Sequence, residues 1–357
     1  MHHPSLAVVD RVRLAGVSVV LLLFIACGDM AEVRVEDQLV VLNKSENTVT
    51  ILDRISGEKL ATVVTGVGPH EAAAHSRKAL LVTANYGTRE NPGSSLTVVD
   101  LRRKRAARTI DLERYRRPHG IQFFQDGERV IVTAEEDQAA LIVNIETEKI
   151  EKVIPTGQQF SHMVALSPEE SRAYVSNIGG GSVSALDVSE GRLLKVIPTG
   201  AGAEGIAVSP DAADVWVTNR AEDTISIIDV EALEAVEKIV SESFPLRLKF
   251  TPDGEYVLVS NARSGDVAVF SVRERKEVAR IPMDFEVQPD EERFLQFRLS
   301  PVPIGIAVSD DGLFAYVSNA NADLIAEIDL TGWKVVRRLD GGHEPDGLAL
   351  AKVEVVN

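Results

Sequence analysis

The stretch GIAVSPDAADVWVTNRAEDTISIID, residues 205–229, followed by AVEKIV at 235–240, decides the fold. Gly205 to Ser209 reads as one strand, and Pro210-Asp211 opens a turn. Asp214 to Asn219 is a second strand, Thr224 to Asp229 a third, and Ala235 to Val240 a fourth. Apolar residues recur every second position, which a strand requires and a helix of period 3.6 does not. Glu231 to Lys238 alone has a composition that suits a helical turn.

The same unit recurs along the chain. Its marker is an apolar run closing on Asn43, Asn85, Glu135 in place of Asn, Asn177, Asn219, Asn261 and Asn319. The gaps are 42, 50, 42, 42, 42 and 58 residues. A second marker, closing the next apolar run, keeps step at Asp53, Asp100, Asn144, Asp187, Asp229, Ser271 and Asp329. Several short strands per repeat of about 40 residues signal a β-propeller. The expected fold is all-β, with seven four-stranded blades. The chain enters with a second-type strand, QLVVLN at 38–43, and leaves with a first-type strand, GLALAKV at 347–353. The last strand should therefore complete the first sheet and remove its open edge.

The runs YVSN and VTN, with turns such as SPDA at 209–212 and TPDG at 251–254, resemble those of YVTN-repeat propellers, and more closely the YncE family. The resemblance covers roughly residues 38–353. It implies a seven-bladed ring and leaves activity open, because one fold hosts binding proteins, surface-layer components and enzymes.

The formal charge of −16 argues against a nucleic-acid partner, and RRKRAAR at 102–108 reads as a solvated turn. Arg11 and Arg13 precede an apolar run, Leu14 to Ala26, that is short for a bilayer span and suits an export signal. Its end, FIACGD, resembles a bacterial lipobox, departing at Phe24 where Leu is usual, which implies lipidation of Cys27. The expected organisation is a signal at 1–26, a tether at 27–37 and the propeller at 38–357. The protein is then extracytoplasmic and lipid-anchored to a bacterial membrane. Cys27 is the sole cysteine, so the mature fold has no internal disulfide.

One residue per repeat, usually after Pro, falls where the chain enters the first strand at the mouth of the central channel. These are His70, His119, His162, Glu204, Leu246, Ile304 and Asp346. Three of the five histidines beyond the signal share this phase in consecutive repeats. Glu71 and Arg247 follow ring residues directly, and Glu135 belongs to the same face. His70, Glu71, His119, Glu135, His162, Glu204, Arg247 and Asp346 are the candidate ligand-binding set. His70, His119, His162 and Glu204 also fit a divalent transition-metal site, general acid–base chemistry or the anchoring of a polar ligand. A water-filled channel whose polar groups bond one another would explain them as well. His75 falls at the opposite end of its strand, His343 lies three residues before the ring position, and the repeat asparagines are expected to hold backbone turns.

Two long segments emerge on this face, 87–95 and 283–299. The second carries Phe285, Phe294 and Phe297 among acids and reads as a lid or partner-binding element. The leading functional expectation is a membrane-anchored propeller that binds a small ligand, a metal or an envelope protein at the channel mouth. A lactonase-like hydrolase is the alternative, because RPHGIQFFQDG and VTAEED, within 117–137, resemble the His-plus-Glu pattern of propeller lactonases. A metal or redox accessory protein of the cell envelope is a third reading. No catalytic Ser motif, nucleotide loop or CxxCH haem site is present.

Overall fold

The computed structural model describes residues 33–75, 77–287, 295, 297 and 299–356, the side chain of Val356 excepted. Cys27, the apolar run before it and Phe294 lie outside the described residues. Seven four-stranded antiparallel sheets form, numbered here as blades 1 to 7 from the N-terminus. Blade 1 is closed as the repeat count requires. Its innermost strand is Pro345–Val356, paired with Val33–Asn43. The pairing begins at Val33↔Val356, so residues 33–37, read from sequence as tether, are part of the closing sheet. Residues 234–240 form the outer strand of blade 5, not a helical turn.

Within each blade the second and third strands carry the buried apolar residues, and the outer strand is largely exposed, as in Glu234–Val240. Neighbouring sheets pack face to face. Trp216 and Ile227 of blade 5, for example, meet Phe250, Val257 and Val259 of blade 6. The inner strands line the axis: Pro69–His75, Pro118–Phe123, Ser161–Leu166, Ala203–Val208, Pro245–Phe250, Pro303–Val308 and the start of 345–356.

The repeat motif does two jobs. The asparagine amide bonds hydroxyls on the facing third strand of its own blade, as Asn177 does to Ser182 and Ser184, and Asn219 to Thr224 and Ser226. It thus staples two strands, where a turn-holding role was expected. The hydroxyl residue beside it reaches forward. Thr218 donates to the carbonyl of Leu246 at 2.7 Å, Ser260 to Ile304 at 2.8 Å and Ser318 to Asp346 at 2.6 Å. Thr133 and Ser176 do the same for His162 and Glu204, so blades 3 to 7 each fix the ring residue of the next, while Leu42 and Ala84 offer no hydroxyl in blades 1 and 2.

Candidate functional site

The ring residues take their aim from the backbone. Two positions before each stands a residue with positive φ: Gly68, Arg117, Phe160, Gly202, Phe244, Val302 and Glu344. Five of these seven are not glycine, and Val302 is β-branched, so most blades hold a conformation that L side chains disfavour. Its carbonyl is held in every blade by the amide of the residue one place beyond the repeat-asparagine position: Lys44, Tyr86, Glu135, Ile178, Arg220, Ala262 and Ala320. The sheet then loses register just past the ring position, for instance between Pro118 and Ile121. Such bulges re-aim side chains. In blades 5 and 7 the next residue is glycine because the adjacent inner strand passes too close for a Cβ. At Gly205 a Cβ would lie 2.3 Å from the Leu246 carbonyl oxygen.

This geometry brings the imidazoles together. His70 and His119 have ring centroids 5.3 Å apart, and His119 and His162 only 3.8 Å. Tyr86 packs on His70 at 4.5 Å and edge-on to His119 at 5.3 Å. His162 Nε2 lies 2.8 Å from Glu204 Oε1, and its Nδ1 is 3.5 Å from Glu135 Oε1. Glu204 also accepts from Arg247 and forms an ion pair with Arg220, both at 2.6 Å. Arg247 of blade 6 then crosses the axis to Glu71 of blade 2 at 2.9 Å. Lys44 approaches Glu344 at 3.1 Å and Asp346 at 3.6 Å. All eight candidate residues thus belong to one polar assembly around the axis.

Charge sorts the row. Burial alone would push the His162 imidazolium down, but Glu204 and Glu135 overcome it and hold its pKa up at about 9. Burial likewise opposes ionisation of Glu204, yet His162, Arg220 and Arg247 hold its carboxyl well below the usual range. Burial leads for Glu135 too, and His162 with Tyr86 keeps it low. His70 is pushed down to about 4, chiefly by burial, and His119 is held well below the usual imidazole range by burial and the charge on His162. Near neutral pH the row is therefore two neutral imidazoles beside one imidazolium clamped by carboxylates.

That arrangement lends the metal reading no support. Metal ligands must be deprotonated, and His162 is held as a cation with carboxylates facing both nitrogens. No group of three or more His, Cys, Asp or Glu among the described residues is placed to hold a metal ion. Glu135 needs correction. The residue paired as the repeat asparagine is Ala134, opposite Pro118, and Glu135 is the next one along. The sequence reading missed Lys44, Tyr86 and Arg220. The signal available was their shared place, directly after the repeat asparagine.

The other expectations divide. Leu246 and Ile304 are buried with Ala262, Val302 and Ala320, and Phe244, Leu295 and Phe297 pack against them. The described part of the 283–299 segment therefore lies over the apolar sector, not over the imidazoles, and Phe285 packs on blade 7 with Met283 and Leu330. The 87–95 segment is mostly strand, with only 88–91 left as a loop. His75 sits at the far end of its strand against Phe123, and His343 faces Asp323 at 3.3 Å.

Two features bear on chemistry. His70 Nδ1 lies 2.9 Å from the Gly68 carbonyl, which can only accept, so Nδ1 carries the proton and Nε2 presents a lone pair. His119 Nδ1 and Asp346 Oδ1 are buried with no hydrogen-bond partner among the described residues.

Comparisons with known proteins agree with this architecture. Many solved structures share it, and two illustrate the likeness. One is Kuenenia stuttgartiensis hydrazine synthase, 20% identical over 82% of this chain and 92% of that one, with a TM-score of 0.67. The other is a functionally unknown protein from Desulfotomaculum acetoxidans DSM 771, 14% identical over 88% and 99%, with a TM-score of 0.73. At such identities the likeness is one of fold alone. No curated protein matches the chain. The family model described as "Lactonase, 7-bladed beta-propeller" matches residues 36–290, well over half of the sequence, and the chain belongs to that family.

Proposed function

We propose that the protein is an extracytoplasmic, membrane-anchored propeller that binds a small, neutral, hydroxyl-rich ligand beside the imidazole row. The observation that carries this reading is the set of polar atoms beside the row left without a hydrogen bond to any described residue, Glu135 Oε2, Glu204 Oε2 and His162 Nδ1 among them. His70 Nε2 and Asp346 Oδ1 are acceptors, and His119 presents a neutral imidazole with Nδ1 unpartnered. Buried polar atoms rarely stay unbonded, and an acceptor-rich edge calls for a ligand that brings donors. Sugar-like hydroxyls do so, and they need no countercharge. The export signal and lipobox resemblance support the location.

The family supports a second reading, hydrolysis of a lactone. The local feature in its favour is the neutral His119 stacked 3.8 Å from a fixed imidazolium. Against it, a general base works best with a pKa near the working pH, and His119 is far below that.

Calorimetric titration with D-glucose and D-glucitol tests the binding reading, with His119→Phe as the variant that keeps ring packing and removes both nitrogens. Binding should weaken at least about tenfold in the variant, the loss of a buried hydrogen bond or two. No binding by the parent protein, or equal binding by both, overturns the reading. Release of acid from D-glucono-1,5-lactone that depends on His119 would select hydrolysis instead.

A further inference from the structure

Below the Glu71–Arg247 pair the axis is an open channel of about 930 Å3, within the size range of small-molecule sites. Its lining stops at Glu71 and Arg247, and none of the seven ring residues contributes. The other mouth lies between the first-to-second-strand turns, where His75, Pro210, Pro252 and Asp310 line it. The imidazole row and this channel are therefore separate spaces on either side of one salt bridge.

The channel wall is small. Ala165, Ala207, Ala307, Ala349 and Gly305 line it. Lys249 stands out against them. It lies two residues beyond Arg247 on the same strand, hence on the same face and roughly 7 Å further along the axis. It lines the cavity, its side chain is exposed there, and it makes no ion pair or hydrogen bond with any described residue. Gln122 occupies the matching register position in blade 3. Its Oε1 accepts from the Leu166 amide at 2.9 Å, which leaves its NH2 as a donor. Glu71, at the closed end, is engaged by Arg247. Enclosure by protein pushes the Lys249 ammonium below its ordinary range, and Glu71 opposes this only in part. Arg77, Glu170 and Asp310 also line the cavity, from the turns at its far mouth; between that mouth and the Glu71–Arg247 pair, Lys249 is the one acidic or basic side chain, set among the alanines, Gly305 and Gln122.

We propose that this channel is a second binding site, entered from the face opposite the imidazole row, for a slender organic anion. Its carboxylate pairs with Lys249, and its apolar body lies along the alanine and glycine wall. The site needs no property of the imidazole row, so it stands or falls independently of the function proposed above.

The test compares hexanoate with hexanol, an uncharged probe of the same length, by calorimetric titration. A charge-assisted contact should make hexanoate bind about 10- to 100-fold more tightly in the parent protein. In Lys249→Gln that advantage should vanish while hexanol is unaffected. His119→Phe should leave both probes unchanged. Ala207→Trp, which fills the channel and keeps Lys249, should abolish binding of both. Lys249 holds no other side chain, so its variant should melt as the parent does, and if it does not, the Ala207→Trp comparison decides. Equal affinity for the two probes, an unchanged preference in Lys249→Gln, or undiminished binding in Ala207→Trp would overturn the proposal.

Discussion

Glu204→Gln strikes the point where the charged assembly converges. The carboxylate takes His162 at 2.8 Å and two arginines at 2.6 Å, and it is 3% exposed. Glutamine keeps the shape, but its NH2 must face one of those three cations, donor against donor. Removing one partner from a buried ion pair costs about 3–5 kcal/mol. Glu71 and Glu135 still hold Arg247 and His162, which favours the lower figure. With roughly 2.1 cal/mol/K of unfolding entropy per residue, a ring of this size gains about 0.7 kcal/mol/K on unfolding, so 3 kcal/mol lowers Tm by about 4 °C. The pH dependence gives the sharper reading. His162 has a folded pKa of about 9 against roughly 6.5 when unfolded, worth about 3 kcal/mol of stability. Because the folded state holds the proton more tightly, that stability is fully present below pH 6.5. It declines as pH rises and is gone above 9. Glu204 is the largest influence raising this pKa, so Glu204→Gln should lose most of the decline. Scanning calorimetry from pH 6 to 10 should show two Tm curves well apart at pH 6 that converge toward pH 10. Groups that titrate elsewhere act on both proteins and cancel in the difference. Parallel curves, or a gap under 1 °C at pH 6, would refute the imidazolium clamp.

Two further outcomes are expected. Gly205→Ala drives a Cβ to 2.3 Å from the Leu246 carbonyl oxygen and 2.8 Å from the Arg247 Cα, both backbone atoms that cannot swing away. It should cost about 1–3 kcal/mol, a fall of up to about 4 °C in Tm; an unchanged melt would mean that the inner strands slide freely. Cys27→Ser should shift the protein from the membrane to the soluble fraction or leave an unprocessed precursor, because lipid on that residue is what the lipobox resemblance implies. Membrane retention of a protein of mature mass would sink the anchor.

The architecture was legible because it is periodic. A propeller repeats one local pattern seven times, and period-2 alternation survives in every copy even where the Asn (blade 3) or the Pro (blades 4 and 5) is replaced. The phase of the ring residues was legible for the same reason. What they do was not. The Glu71–Arg247 pair joins residues in blades 2 and 6 and follows from ring closure, which places them opposite one another. The protonation of His162 depends on two carboxylates from neighbouring blades and is no property of its own repeat. The residue after the asparagine escaped notice because its chemistry varies from Lys44 to Tyr86 to Arg220 to Ala262, so no shared residue type marked it. Glu135 was assigned one position early because blade 3 reads VTAE, and only strand pairing shows Ala134 opposite Pro118. The positive φ before each ring residue was hidden too, since Arg117, Phe160, Phe244, Val302 and Glu344 are not residues that advertise it.

Arg247 decides how the two ends of the axis relate. A propeller of this size could close its channel with apolar side chains, as Leu246 and Ile304 do on their own side. Desolvating a guanidinium and two carboxylates is costly, and well-packed apolar residues often match or exceed a buried ion pair in stability. The pair is therefore poorly explained as a device for stability alone. What it provides is placement. Arg247 spans from Glu204 to Glu71, fixing the anion that in turn holds His162 charged and His119 neutral. On its other side the same residue engages the one carboxylate at the closed end of the channel, which leaves Lys249 without an ion-pair partner among the described residues. One side chain thus sets opposite requirements on its two sides: donors from a neutral ligand beside the imidazoles, and negative charge from a ligand in the channel.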